Sequence, residues 1–248
     1  MYIHQWWQGS IESGELPADV LGVVVPKQSR SLKSFQNILD SAVGLIYEEG
    51  LMGCTVQKVL EQSGVGASSF YGKFESRDAL LEYLASLFWS SAEKEWAMIL
   101  DERRWRSCGA TAVIGQVMDM LVGWFRIEGP ILSAFLIHAL SEERGPRLSR
   151  ISEFDNWLAD TLTGLLAQKR GEAQDHAPSV AVRVATLQAV ATVRSRLLFL
   201  GKGGEDGISD KSLAEEMSKG FLGHLQANGK AGQDSLVRAQ ADFNKYSV

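Results

Sequence analysis

Only two cysteines occur in the 248 residues, Cys54 and Cys108, far apart and with no CxxC or neighbouring histidine pair. They offer neither a disulfide framework nor a thiolate zinc site, and a reducing compartment is expected. Proline is also scarce. The five prolines stand at positions 17, 26, 130, 146 and 178, each at or beside a point where helical periodicity stops or has not begun, so the chain reads as all-α. An excess of positive charge is missing too: 25 Lys and Arg against 30 Asp and Glu give a formal charge of −5. That excludes a protein that coats nucleic acid through bulk charge and leaves only a focused contact made by one small face.

The opening residues MYIHQWWQGS lack the cationic and apolar regions of a secretory signal, and the best apolar stretches, such as 131–140, are too short to cross a bilayer. A cytoplasmic protein without membrane contact is expected. Catalytic signatures are absent as well: no GxSxG, Walker A, HExxH or strand-to-helix GxGxxG occurs. His138, His176 and His224 have no Asp, Cys or His at ligand spacing. No enzyme, metal or cofactor is therefore expected.

What is present is an ordinary globular composition, 45% hydrophobic and 22% charged, long enough for one large domain or two smaller ones. Residues 1–30 carry turn signals and one β-like run at 20–25, and are read as a poorly ordered extension. Over 34–50 the apolar residues Phe35, Ile38, Leu39, Ala42, Leu45 and Ile46 trace one helical face, and Gly50 ends it. Thr55 can cap a short second helix that Gly64 stops, and a third helix is expected over 67–74. Ser76 can cap a long fourth helix from 77 to about 104. Further helices are expected at about 110–128, 131–143, 147–170, 179–200 and 209–227, with a polar tail over 229–248.

The second and third helices with the Gly64-Val65-Gly66 turn between them form a helix-turn-helix, the device that lays a short helix in the DNA major groove. Spacing alone also suits bundles that never meet DNA. The residues in order are more specific: FQNILDSAVGLIYEEG over 35–50, Thr55-Val56, Gly64-Val65, and SSFYGKFESRDALL over 68–81 resemble the TetR/AcrR family of bacterial transcriptional regulators. The resemblance covers about 50 positions in one register, and implies a DNA-binding head over 31–78 followed by a helical ligand-binding and dimerisation domain over 79–228.

Tyr71 matches the tyrosine that the family aims at a DNA phosphate, a task for a ring anchored in the core with its hydroxyl outward. Ser68 and Ser69 fall where the family faces base edges, and Lys73 closes that helix as a flexible cation. Thr55 and Ser76-Arg77 stand at helix N-termini, where free N–H groups favour phosphate. Lys33 belongs, with Lys27 and Arg30, to the densest cationic group of the chain. Where family members commonly carry a Ser-Lys or Ser-Arg pair and a histidine, this chain has Gly66-Ala67 and Gly72. Its recognition helix is thus sparse in polar side chains, and Gly72 weakens it by roughly 1 kcal/mol relative to alanine. Residues 27–77 sum to +1 and the other 197 to −6.

For the second half, the resemblance implies a cavity for a small, largely apolar effector, for which Trp89, Trp96, Met120, Trp124, Phe135, His138 and Trp157 are the candidate lining; the same side chains also read as ordinary core. It also implies that the last two helices pair into a four-helix dimer interface. One stripe holds Val180, Val184, Leu187, Ala191, Arg194 and Leu198, the other Leu213, Met217, Phe221 and Leu225; such stripes suit monomer core equally. The expected protein is a homodimeric, ligand-responsive repressor that binds a pseudo-palindromic operator in double-stranded DNA. The rival reading is a helical small-molecule carrier or interaction module whose helix-turn-helix does not bind DNA.

Overall fold

The computed structural model describes residues 17, 19–141, 146–169, 179–199 and 207–228. The expected tail over 229–248, most of the first 18 residues and His176 lie outside them. Among the described residues there are eight α-helices: α1 (Ser29–Gly53), α2 (Val56–Ser63), α3 (Ala67–Tyr71), α4 (Arg77–Ile99), α5 (Ala110–Leu140), α6 (Pro146–Ala167), α7 (Ser179–Phe199) and α8 (Asp210–Ala227), with a 3-10 turn at Glu102–Trp105. The all-α expectation holds. The chain divides into two compact units, residues 1–96 with 128–150, and residues 97–127 with 151–248.

The first unit is built on aromatic packing. Phe35 of α1 stacks on Phe74 at 4.9 Å between centroids and meets Tyr83 of α4 edge-on at 5.2 Å, while Phe70 of α3 lies 5.6 Å from Phe74. All four rings are fully buried together with Ile38, Leu39, Val59, Leu80 and Leu84. Each such side chain contributes about 1.5–3 kcal/mol by leaving water. Farther along, Phe88 of α4 packs 5.6 Å from Phe135 of α5. Two partly buried polar contacts accompany this apolar packing: Tyr47 of α1 donates to Glu128 of α5 at 2.5 Å, and His138 Nε2 lies 3.4 Å from Glu82 Oε1.

In the second unit Trp105, Val113, Ile114, Leu121 and Phe125 are buried, as are Phe154, Leu158, Ala185, Val193, Leu213 and Phe221. Trp124 stacks on Phe154 at 5.7 Å. The Arg126 guanidinium holds the Asp210 carboxylate through two hydrogen bonds, one of 2.8 Å from Nε, and this lowers the Asp210 pKa. Arg194 donates to Asp155 at 2.5 Å.

Three helix boundaries differ from expectation for identifiable reasons. The fourth helix stops at Ile99, where the Trp105 indole turns back and donates to the Ile99 carbonyl at 2.6 Å. The helices expected at 110–128 and 131–143 are one helix running through Pro130. Gly129 has no Cβ to clash with the proline ring, and side chains are buried on both sides of it, Val122 and Phe125 before and Ile131 and Phe135 after. As a single helix, α5 is long and apolar enough by length and composition to cross a bilayer, unlike the short stretches read from the sequence, although half of its most apolar window is buried in the chain. The third helix ends at Tyr71, short of Phe74. Its last residues are instead engaged by the segment before α1. Within the stretch expected to be poorly ordered, Val23 forms an antiparallel bridge with Phe74.

Candidate nucleic-acid interface

The helix-turn-helix forms as its local signals dictate. The Thr55 side chain accepts the Lys58 N–H at 3.3 Å and caps α2, and Gly64 closes it in the left-handed conformation with φ 66°. Ser76 Oγ accepts the Ala79 N–H at 3.1 Å at the start of α4. Inside α1, Gly50 has φ 74° and ψ −175°, so the regular helix breaks at the expected residue and one further turn follows. Such caps are worth about 0.5–2 kcal/mol each.

The recognition helix α3 is only five residues long, too short to persist by its own hydrogen bonds. Its geometry is set by docking. Phe70 points into the core, so Ala67, Ser68, Tyr71 and Gly72 are left on the exposed side. Tyr71 is 57% exposed, and its described ring contact is an edge-on approach to Phe70 at 5.3 Å between centroids. The ring is therefore less anchored than expected, though its hydroxyl is free to reach an acceptor. Thr55 is exposed, and its hydroxyl accepts at the cap while keeping its proton for another partner.

The cations divide into two groups. Lys27, Arg30 and Lys33 are exposed around the first turns of α1, with no acidic residue in that first turn and no ion pair among the described residues. Positive charge at a helix N-terminus opposes the helix dipole, at about 0.3–1 kcal/mol per charge. An anion laid against this end would offset that cost. Lys73 and Arg77, by contrast, are turned inward. Lys73 is only 7% exposed, and its ammonium donates to the Ser69 carbonyl at 3.0 Å and to Ser69 Oγ at 2.8 Å. It closes the recognition helix and does not project from it. Arg77 donates from Nε to the Cys54 carbonyl and from an Nη to the Leu51 carbonyl, both at 2.6 Å. It thereby satisfies the carbonyl end of α1, a position that favours cations. Ser69, half-buried beneath Lys73, is the less available of the two serines. Spacing could not distinguish these directions, since a long side chain at one position can fold back or extend.

The candidate effector-lining residues separate by unit. In the first, Trp89, Trp96, Phe135 and His138 are buried, with Phe88 between Trp89 and Phe135 at 5.1 and 5.6 Å. In the second, Trp124 packs with Phe154, which lies 5.8 Å from Trp157, and Met120 stands one turn before Trp124. Glu82 and Glu128, the polar groups near the first unit's rings, are not among the sequence expectations; a carboxylate inside an apolar helix, as Glu128 is in α5, is the available signal.

The candidate dimer stripes also separate. On α7, Val180, Val184 and Ala191 are exposed and Leu187 half-exposed, opposite the buried Ala181, Ala185, Ala189 and Val193. On α8 the stripe is chiefly the chain's own core: Leu213, Phe221 and Leu225 are buried and Met217 is half-exposed. Phe221, 3% exposed, is thus already covered without a second chain; the side chain of Leu198 lies outside the described residues.

Comparison with known proteins agrees with the resemblance. Residues 38–84 match the model for bacterial regulatory proteins of the tetR family, N-terminal part. A TetR-family transcriptional regulator from Streptomyces coelicolor superposes with a TM-score of 0.57 at 18% identity, over 79% of this chain and 90% of its own. A TetR-family regulator from Mesorhizobium loti gives 0.56 at 14% identity, over 82% and 100%. The regulator FadR from Bacillus subtilis, solved with stearoyl-CoA, gives 0.55 at 18% identity, over 76% and 97%. No curated protein sequence matches the chain. The head carries the signature of the TetR family, and the helical fold is that of its regulators.

Proposed function

We propose that this chain, TetR-type in its head and in its fold, is a transcriptional regulator that binds a pseudo-palindromic operator as a homodimer in the cytoplasm and acts as a repressor, released by a small, largely apolar effector. The observation that carries the reading is the outward set on the head: Ser68 and Tyr71 on the recognition helix, Thr55 at the cap of α2, and the unpaired Lys27, Arg30 and Lys33 at the start of α1. Hydroxyls and a phenol suit base edges and phosphate, and the cations supply the electrostatic attraction that the acidic remainder lacks. The open stripe Val184, Leu187 and Ala191 supports pairing through α7, with Met217 of α8 at its margin. Two heads related by a two-fold axis would read half-sites about 34 Å apart or a multiple of that.

The tryptophan and phenylalanine clusters support an apolar effector, as does the likeness to FadR with its stearoyl-CoA. The buried Glu128 and His138 and the half-buried Glu82 are the polar groups that would orient such a molecule. Its binding would favour one of two arrangements of the helices that follow the head, and a coupling of about 1–3 kcal/mol changes operator occupancy 5- to 150-fold.

One observation favours the carrier reading: Lys73 and Arg77 are both committed to protein carbonyls, so the recognition surface has few charged donors. An anisotropy titration against selected duplexes, with Tyr71→Phe and Lys33→Ala, separates the two. The regulator reading expects weaker binding for both variants and a shallower salt dependence for Lys33→Ala; no sequence-specific binding by the unaltered chain would leave the carrier.

A further inference from the structure

We infer that residues 20–25 are a positioning strap for DNA reading, a role that rests on the regulator reading above. Val20 to Val23 make a turn, closed by the Val23 N–H on the Val20 carbonyl at 3.2 Å, with Gly22 at φ 74° in its third place. That is the pattern of a type II turn, which needs a residue tolerant of positive φ. The chain leaving the turn runs antiparallel to the segment that follows the recognition helix. The Val24 N–H donates to the Lys73 carbonyl and the Glu75 N–H to the Gly22 carbonyl, both at 2.8 Å, flanking the Val23–Phe74 bridge.

The consequence lies in what these bonds hold. Five residues of helix with a glycine just beyond them cannot fix their own orientation. On one side Phe70 and Phe74 anchor them in the core; on the other, the Lys73 ammonium closes the helix end onto Ser69 while the Lys73 carbonyl is taken by Val24. The strap therefore fixes the exit of the recognition helix through backbone hydrogen bonds with Lys73 and Glu75. Its fit is close: a Cβ on Gly22 would stand 3.0 Å from Glu75 Oε2 and 3.2 Å from the Ala79 Cβ. Leu21 and Val24 are exposed while Val20, Val23 and Val25 are half-buried, so the backbone pairing is accompanied by partial packing of the alternate side chains.

Val24→Pro removes the one N–H that bonds Lys73 and costs little packing; Val24→Thr keeps the N–H and serves as the conservative control; Gly22→Ala opens the turn independently. Amide exchange of Glu75 in the free full-length protein reports whether the strap is closed, and titrations against a selected operator and a scrambled duplex report its effect. The expected result is fast Glu75 exchange in Val24→Pro and Gly22→Ala, operator binding weaker by about tenfold or more, and scrambled-duplex binding little changed, so that the specificity ratio falls, with Val24→Thr like the unaltered chain. An open strap with unchanged operator affinity, or equal losses on both duplexes, would overturn the positioning role while leaving the regulator reading intact. A chain with protected Glu75 that binds no duplex specifically would overturn both.

Discussion

Lys73→Met distinguishes a lysine that reaches DNA from one that holds its own helix. Methionine keeps most of the buried stem and removes the ammonium, which donates to two oxygens of Ser69 at 3.0 and 2.8 Å. Hydrogen bonds from a charged donor are worth about 1.5–3 kcal/mol each, but releasing a buried charge from its desolvation returns part of that. A net loss of about 1–3 kcal/mol is expected, which at this chain length lowers the melting temperature by roughly 2–4 °C per kcal/mol. DNA affinity should fall with it, because the Ser69 carbonyl loses its partner and α3 loosens, whereas the salt dependence should be unchanged because no phosphate contact is removed. A lysine bound to phosphate predicts the reverse: an unaltered melt, and a slope of log affinity against log salt reduced by about 1 per head. Thermal melts beside anisotropy titrations at four salt concentrations make the comparison. A stable variant with a reduced slope would refute the inward assignment.

Tyr83 is fully buried edge-on against Phe35 and Phe74, its hydroxyl has no hydrogen-bond partner among the described residues, and burial pushes its pKa up; Tyr83→Phe should stabilise the chain by about 1 kcal/mol in a denaturant melt, and a loss would show that the hydroxyl has a role. Burial pushes the Cys54 thiol from 9.0 up to about 11, so at pH 8 only the half-exposed Cys108 should react quickly with a thiol reagent, and both should react in denaturant. Since the folded value is the higher one, Cys54 favours the fold below about pH 9 and this contribution is lost as pH rises toward about 11. Asp210 has the opposite sign: hydrogen bonding to Arg126 lowers its pKa from 3.8, so its contribution is present above that value and is lost as pH falls through the depressed one. The stability gap between the unaltered chain and Asp210→Asn, measured by melts from pH 7 to 3, should narrow only at the acid end; a gap independent of pH would contradict the ion pair.

The parts legible in the sequence were those set by neighbours in the chain. Thr55 and Ser76 cap their helices, Gly64 adopts the left-handed conformation, and Gly50 breaks α1, all because each acts on backbone groups within four residues. The family resemblance over the head rested on the same local register, and residues 38–84 match accordingly. What escaped required contacts across the chain. Pro130 reads as a stop until the residues on both sides of it are seen to be buried within one continuous helix. Lys73 and Arg77 were placed toward DNA because spacing fixes where a Cα lies and not where a four-atom stem ends. The β-like run at 20–25 was visible, but its partner is a turn some fifty residues away. The α7 and α8 stripes looked alike in periodicity, yet one is open and the other closed over Phe221.

The central claim is that this head reads DNA through a small local surface on an otherwise acidic chain. Selection of binding sites from a random duplex pool, followed by a salt series on the best site, tests it most directly. The account predicts enrichment of a two-fold-symmetric sequence with half-sites about one helical turn apart, and binding that weakens steeply with salt and loses slope when Lys27, Arg30 and Lys33 are replaced together by alanine. A pool that stays unenriched, or a slope indifferent to those three cations, would contradict it.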